Sequence, residues 1–345
     1  MDYRNNGRRN AESQRLAQKK RSRKRFLFLY FGFFLIVIGV FAIFRWAVPT
    51  NETVIENPNR TEAPASSEAP SSEGTPAPAE TGSPAPSATP SATAKPVTKT
   101  ENSYDSENLT MSISNHEDQI DGQTVKYFVV DIQLKDMSLF KTAFSGSGDG
   151  ISNEYENPLT LLEENNGLLG INCDNSGYLS DGIIVRNGEL YRFRPSDRDV
   201  CMIFSDGTMR VAQESSFSSQ DEIFDLINNE GLLHTFSFGP ALIENGQGRG
   251  DYSDSNVQTW NPRTAIGMIE PYHFVFVVVD GRTDDTAGMR LIHLEELMSS
   301  LGCQVAYNFD GGQSSILMYD GNIVNNIAGR DEPRGVTDIV YLSEN

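Results

Sequence analysis

Nineteen consecutive residues, Phe26–Phe44, carry no charge, and ten Lys/Arg precede them within residues 1–25. As a helix rising about 1.5 Å per residue, the run spans roughly 28 Å, close to the thickness of a bilayer's hydrocarbon core. Arg45 and Trp46 end it where a headgroup interface would lie. The basic block holds the N-terminus in the cytoplasm, so the long C-terminal part is expected outside the cell membrane. A cleaved signal peptide has an apolar region of about 7–15 residues and a small-residue cleavage site. This run is longer, and Arg45-Trp46-Ala47-Val48-Pro49 offers no such site. The expectation is a basic cytoplasmic tail over residues 1–25 and a single uncleaved membrane helix over 26–48.

The next stretch cannot build a core. Residues 49–103 hold ten of the sixteen prolines among Ser, Ala, Thr and Glu, with few aromatic or aliphatic residues. Such a composition reads as a disordered linker. A globular domain is therefore expected over residues 104–345, long enough for one sizeable core. Beyond Arg45 remain 17 of the 28 Lys/Arg and 45 of the 47 Asp/Glu, a formal charge near −28. That balance excludes nucleic acid as a partner, which needs a basic footprint. An anionic ligand would need local cations or backbone N–H donors to overcome the surrounding charge. Cys173, Cys201 and Cys303 are too few for a disulfide scaffold and read as buried free thiols.

Within the domain the fold class reads as α/β (mixed α+β): one strand-rich domain with a mixed sheet flanked by helices. Strands are expected at Val125–Leu134, Leu168–Asn172, Thr264–Ile269, His273–Val279, Val305–Phe309, Ile316–Tyr319 and Ile339–Leu342. Asn187-Gly188 and Asp206-Gly207 signal hairpins. Pro158–Glu164 reads as a short helix, and Ser219 with Glu222 as a capping box for another. Leu291, Leu294, Leu297 and Leu301 place an apolar stripe on a third helix. The strand–helix–strand step from Val279 to Val305 predicts a parallel pair.

Two of these strands end in the same dipeptide, Asp280-Gly281 and Asp310-Gly311. Either both are ordinary Asp-Gly turns, or two carboxylates meet at one sheet edge, where α/β sheets bind ligands. Gly311, Gly312, Ser314 and Ser315 then form either a tight turn or a nest of donors for an anion. Arg263 follows Asn261-Pro262, and Arg282 follows Asp280-Gly281; each is a surface charge or a fork that grips phosphate. Asn172 ends another apolar strand and either satisfies a loop backbone or orients a sugar hydroxyl. His116, His234, His273 and His293 show no metal-ligand spacing. If Asp280, Asp284, Asp285 and Asp310 gather, their hard oxygens suit Ca²⁺.

Taken in order, five segments resemble the phosphodiester glycosidase family: Gly170-Ile171-Asn172 with Gly182-Ile183-Ile184, Phe236 to Leu242, Asn261 to Gly267, Val279 to Arg282, and Asn308 to Ser315. Arg334-Gly335-Val336 resembles the family's closing motif. The resemblance covers roughly residues 110–345. The sequence departs from the family pattern at Gln313, which stands where a third glycine is usual, and in the loop Cys173 to Leu179. The resemblance implies hydrolysis of a sugar from a glycosyl phosphodiester, in cell-wall or exopolysaccharide metabolism. It implies an anionic sugar-phosphate or glycan substrate, with Asp310 or Asp280 as the catalytic carboxylate. Arg263, Arg282, Arg334, Asn172, Gly311, Gly312, Ser314 and Ser315 would bind substrate. Two rival readings remain open, a tethered glycan-binding module and a scaffold of polysaccharide assembly.

Overall fold

The period-two pattern of His273–Val279 organises the domain. Phe274, Phe276 and Val278 enter one hydrophobic cluster, and Val275, Val277 and Val279 enter a second on the opposite face. Each such side chain, fully removed from water, stabilises the fold by about 1.5–3 kcal/mol. A strand buried on both faces needs a layer on each side, and the structure supplies both. The computed structural model describes residues 52–58, 95–146, 150–255 and 257–344. The expected cytoplasmic tail and membrane helix, and most of the expected linker, lie outside the described residues.

His273–Val279 sits inside a nine-stranded sheet. In spatial order its strands are Thr98–Lys99, Ser103–Asp105, Leu109–Ile120, Gln123–Leu134, His273–Val279, Arg263–Glu270, Val305–Asn308, Ala241–Glu244 and Gln247–Gly248. On one face, the first cluster joins it to a five-stranded sheet. That sheet runs Asn322–Ile323, Leu317–Tyr319, Leu169–Asn172, Asp338–Leu342 and Phe140–Phe144. On the other face, the second cluster packs helix Leu291–Ser300 through Leu291, Leu294 and Met298. A smaller cluster gathers hairpin Gly182–Arg186/Glu189–Arg194, a three-stranded sheet and helix Gln220–Asp225. Helix Pro158–Glu164 covers the outer face of the five-stranded sheet with Leu161 and Leu162.

Several expectations are corrected. The domain is mostly β-sheet, and every registered strand pair among the described residues is antiparallel, so the sheet is not mixed. The strands His273–Val279 and Val305–Asn308 do run in the same direction, but they are not neighbours. Arg263–Glu270 lies between them, antiparallel to both. The first sheet strands, Thr98–Lys99 and Ser103–Asp105, start ahead of the expected domain boundary at Tyr104.

Part of the expected linker also packs on the domain. The Ile55 N–H donates to the Leu190 carbonyl at 2.7 Å, and the Ile55 side chain joins the cluster beneath the hairpin. Glu52 accepts from Arg192 at 2.6 Å and Arg194 at 2.7 Å. The reason is local: beside Glu52, Asn51-Glu52-Thr53-Val54-Ile55 carries an aliphatic pair that the Pro/Ser/Ala stretch after it lacks. The capping box is altered as well. Glu222 accepts from the Ser218 N–H at 3.1 Å, and the Ser219 side chain makes no cap bond. All three cysteines are buried and free, as expected.

Candidate active site

The register brings the two Asp-Gly steps to one end of the large sheet. Arg263 pairs with Val279, and Ala265 pairs with Asn308, so Asp280 and Asp310 leave the sheet on either side of the strand that Arg263 begins. One side-chain amide then bonds the loop after Asn308 at both of its ends. Asn172 donates through Nδ2 to the Asp310 carbonyl at 2.6 Å. Its Oδ1 accepts from Thr264 Oγ1 at 2.8 Å and from the Ile316 N–H at 3.1 Å. One side chain thus ties both ends of the loop 310–316 to the sheet. Of the two readings of Asn172, these bonds are those of loop support; the residue is buried.

Two glycines give the loop its shape. A Cβ on Gly311 would stand 2.7 Å from the Pro262 carbonyl oxygen, and Gly312 adopts φ +67° with its N–H on that same oxygen at 2.9 Å. Gly312 lies against the Arg282 guanidinium, which a Cβ would meet at 3.0 Å. The turn Gly312–Ser314 follows. Its Ser314 hydroxyl bonds the Asp310 carboxylate and accepts from Arg334 Nη1 at 3.4 Å.

Around this loop lies a cavity of about 250 Å³ lined by Phe238, Val257, Asn261, Arg263, Arg282, Asp310, Gly311, Gly312, Gln313 and Arg334. It gathers Asp310, Arg263, Arg282, Arg334, Gly311 and Gly312 of the expected site residues. It does not gather Asp280, Ser314, Ser315 or Asn172. Asp280 is buried and accepts from Asn325 Nδ2 at 3.2 Å. Ser315 is buried beneath the loop and offers its carbonyl to Asn325 at 3.2 Å. Phe238, Val257 and Asn261 were not expected as lining. Phe238 and Asn261 do stand within quoted motifs, whereas nothing marks Val257.

The electrostatics of the cavity are unusual within this acidic domain. Seven other arginines pair with carboxylates among the described residues. Arg263, Arg282 and Arg334 make no ion pair there. Arg263 is buried and gives its Nε to the Met289 carbonyl at 2.9 Å and its Nη2 to the carbonyls of Val257 and Thr259. Burial, and then the Arg282 charge, push its guanidinium down to about 10. Arg282 is anchored by Asn261 Oδ1 at 2.8 and 3.2 Å. A desolvated guanidinium beside a second cation is stabilised by an arriving anion, and guanidinium forks match phosphate oxygens.

The acids respond to burial in the opposite sense. Burial pushes the Asp310 carboxyl up, while the Ser314 hydroxyl and the Arg334 charge hold it part of the way back. Asp280 is pushed up to about 6 by burial, against the Asn325 amide and the Asn326 N–H. The four carboxylates considered for Ca²⁺ do not gather. Asp285 is drawn to Lys126 at 2.6 Å, and among the described residues no group of three His, Cys, Asp or Glu is placed to hold a metal.

A second buried charge group supports the walls. Arg186 Nη2 lies 3.3 Å from both Asp174 and Asp338. Asp174 in turn accepts from the N–H groups of Ser237 at 2.7 Å and Phe238 at 3.0 Å, fixing the cavity wall. Sequence reading missed this group because its members lie far apart along the chain.

Comparison with known proteins gives a family and a fold. The model of a family described as phosphodiester glycosidase matches residues 164–343. The chain is 29% identical over 200 residues to the SPbeta prophage-derived protein YomE of Bacillus subtilis (strain 168), a match covering 54% of this chain and 30% of that relative's length. In fold it is similar to the catalytic domain of zebrafish N-acetylglucosamine-1-phosphodiester α-N-acetylglucosaminidase, solved in a form auto-inhibited by its pro-peptide. That likeness has a TM-score of 0.56 and 18% identity, over 73% of this chain and 87% of the other.

Proposed function

The chain belongs to the phosphodiester glycosidase family, and from that premise we propose that it is a hydrolase that removes a sugar from a glycosyl phosphodiester. The observation that carries the reading is the cavity in which three arginines without carboxylate partners surround one carboxylate, Asp310. The arginines hold the phosphate. Asp310 takes a proton from water as that water's oxygen bonds to the anomeric carbon. The bond from the anomeric carbon to the phosphate oxygen breaks, and its electron pair leaves with the phosphomonoester. Phosphate is a good leaving group, so the second carboxylate that acid assistance would need is dispensable, and Asp280 stays outside the cavity. The arginines stabilise the charge that grows on the departing oxygen, where fixed cations act most strongly.

By the same reading the domain works outside the cell membrane, anchored by Phe26–Phe44, on cell-wall or exopolysaccharide material. The uncharged run behind ten Lys/Arg supports this. Among the described residues no helix is long and apolar enough to cross a membrane, and Phe26–Phe44 lies outside them.

The test is turnover by the full chain across a panel of sugar 1-phosphodiesters. Asp310→Asn and Arg263→Ala should each lower the rate at least about 100-fold. Glycan binding without product release, unchanged in Asp310→Asn, would instead support a binding module.

A further inference from the structure

A second cavity, of about 310 Å³, adjoins the arginine cavity. The two share Phe238 and Val257, so a ligand crossing that ridge would occupy both. Arg263 fixes the ridge from below through the Val257 and Thr259 carbonyls, and Asp174 fixes it through the Phe238 N–H. The wall between the cavities is therefore built rather than loose.

The chemistry of the second cavity is the reverse of the first. It is lined by Asp197, Asp199 and Asp254 against Arg198 and Arg249, with Pro240 and Phe238 as apolar faces. Both cations are already neutralised. Arg249 bonds Asp199 at 2.9 Å and Asp254 at 2.6 Å. Arg198 bonds Asp181 at 2.5 Å and the Ser237 carbonyl at 2.8 Å. An anion would meet a carboxylate excess here, whereas hydroxyl groups would find acceptors. The size falls at the lower end of small-molecule sites, roughly 300–1,000 Å³.

We propose that this cavity binds a neutral polyhydroxyl group esterified to the phosphate held in the arginine cavity. The inference deepens the proposed function and rests on it. The group is either the sugar at its anomeric carbon or the alcohol on the other phosphate ester, and the test separates the two.

Asp197 and Asp254 are exposed, so replacing them leaves the core intact. Affinities of the full chain for three probes are measured by calorimetry: methyl phosphate, glucose 1-phosphate and glycerol 3-phosphate. In an Asp197→Ala, Asp254→Ala double variant, methyl phosphate should bind as before, and at least one polyol phosphate should weaken about tenfold. Loss confined to glucose 1-phosphate assigns the cavity to the sugar, and loss confined to glycerol 3-phosphate assigns it to the alcohol. In Arg282→Ala all probes should weaken. Unchanged polyol-phosphate affinity in the double variant, with Arg282→Ala weakening every probe, overturns the second cavity and leaves the first standing. No effect of Arg282→Ala on any probe overturns the phosphate reading and this inference with it.

Discussion

Asp310 and Arg334 form the most informative residue pair because their electrostatics set the direction of a pH profile. Burial raises the Asp310 carboxyl, and Arg334 lowers it again. A carboxylate that accepts a proton from water must be ionised, so kcat/KM should fall as pH falls through the raised Asp310 value. The substrate's phosphodiester is ionised throughout that range and adds no inflection of its own. Arg334→Ala removes a cation that favours the charged form. Its acidic limb should move to higher pH, while Arg334→Lys keeps most of the charge and shifts it less. Profiles of the three proteins decide the matter, and a limb that stays in place in Arg334→Ala would separate Asp310 from the chemistry. Residue type and neighbours made Arg263 and Arg282 legible in the sequence, through Asn-Pro-Arg and Asp-Gly-Arg. Arg334 carries no such local signal and was found only through the family's closing motif.

At the scale of elements, the loop 310–316 depends on one strand end. Asn172 at the end of Leu169–Asn172 serves the Asp310 carbonyl, Thr264 Oγ1 and the Ile316 N–H together. Asn172→Ala would leave buried backbone groups unpaired, each costing about 1–3 kcal/mol. The expected result is a clear loss of stability in urea unfolding together with a fall in kcat, because the loop also carries Asp310. Loss of stability with unchanged kcat would show that the loop holds its shape without the clamp. Other strands were readable from the sequence, Val125–Leu134 from its alternation and His273–Val279 as a continuous apolar run. Leu109–Ile120 was not, since Ser114–Gln119 are exposed and only its first half alternates. The expected parallel pair failed for a different reason. A local strand–helix–strand pattern says nothing about Arg263–Glu270, which precedes it in the chain and takes the place between its strands.

The whole molecule adds constraints that no single element carries. The acidic formal charge beyond Arg45 makes the arginine cavity an exception, and that contrast was visible from composition before any contact was known. Compositional reading misjudged residues 52–58, because a Pro/Ser/Ala average hides one short aliphatic segment with a carboxylate. Glu52 is the acid partner of the nearly buried Arg192. In Glu52→Ala, Arg192 would keep its bonds to the carbonyls of Ser176, Leu179 and Asp181 but lose its charge partner. A loss of about 1–3 kcal/mol is expected, short of the cost of a fully orphaned buried charge. Thermal unfolding of the full chain would measure it, and an unchanged midpoint would mean that the segment rests on the domain without stabilising it.

In the proposed membrane-anchored arrangement, the charge asymmetry of the chain would also set an orientation. Ten Lys/Arg before Phe26–Phe44 oppose translocation of the N-terminus, while long acidic domains cross largely regardless of charge. Protease added to intact cells should therefore digest an epitope placed after Asn345 and spare one placed before Met1. Replacing the basic residues of positions 19–25 with glutamine should weaken that asymmetry, since the orientation rule counts positive charges beside the span rather than net charge. Protection of the C-terminal epitope in intact cells, with digestion after lysis, would place the domain inside. An exopolysaccharide or wall substrate would then be out of reach, although the arginine cavity and its chemistry would be unaffected.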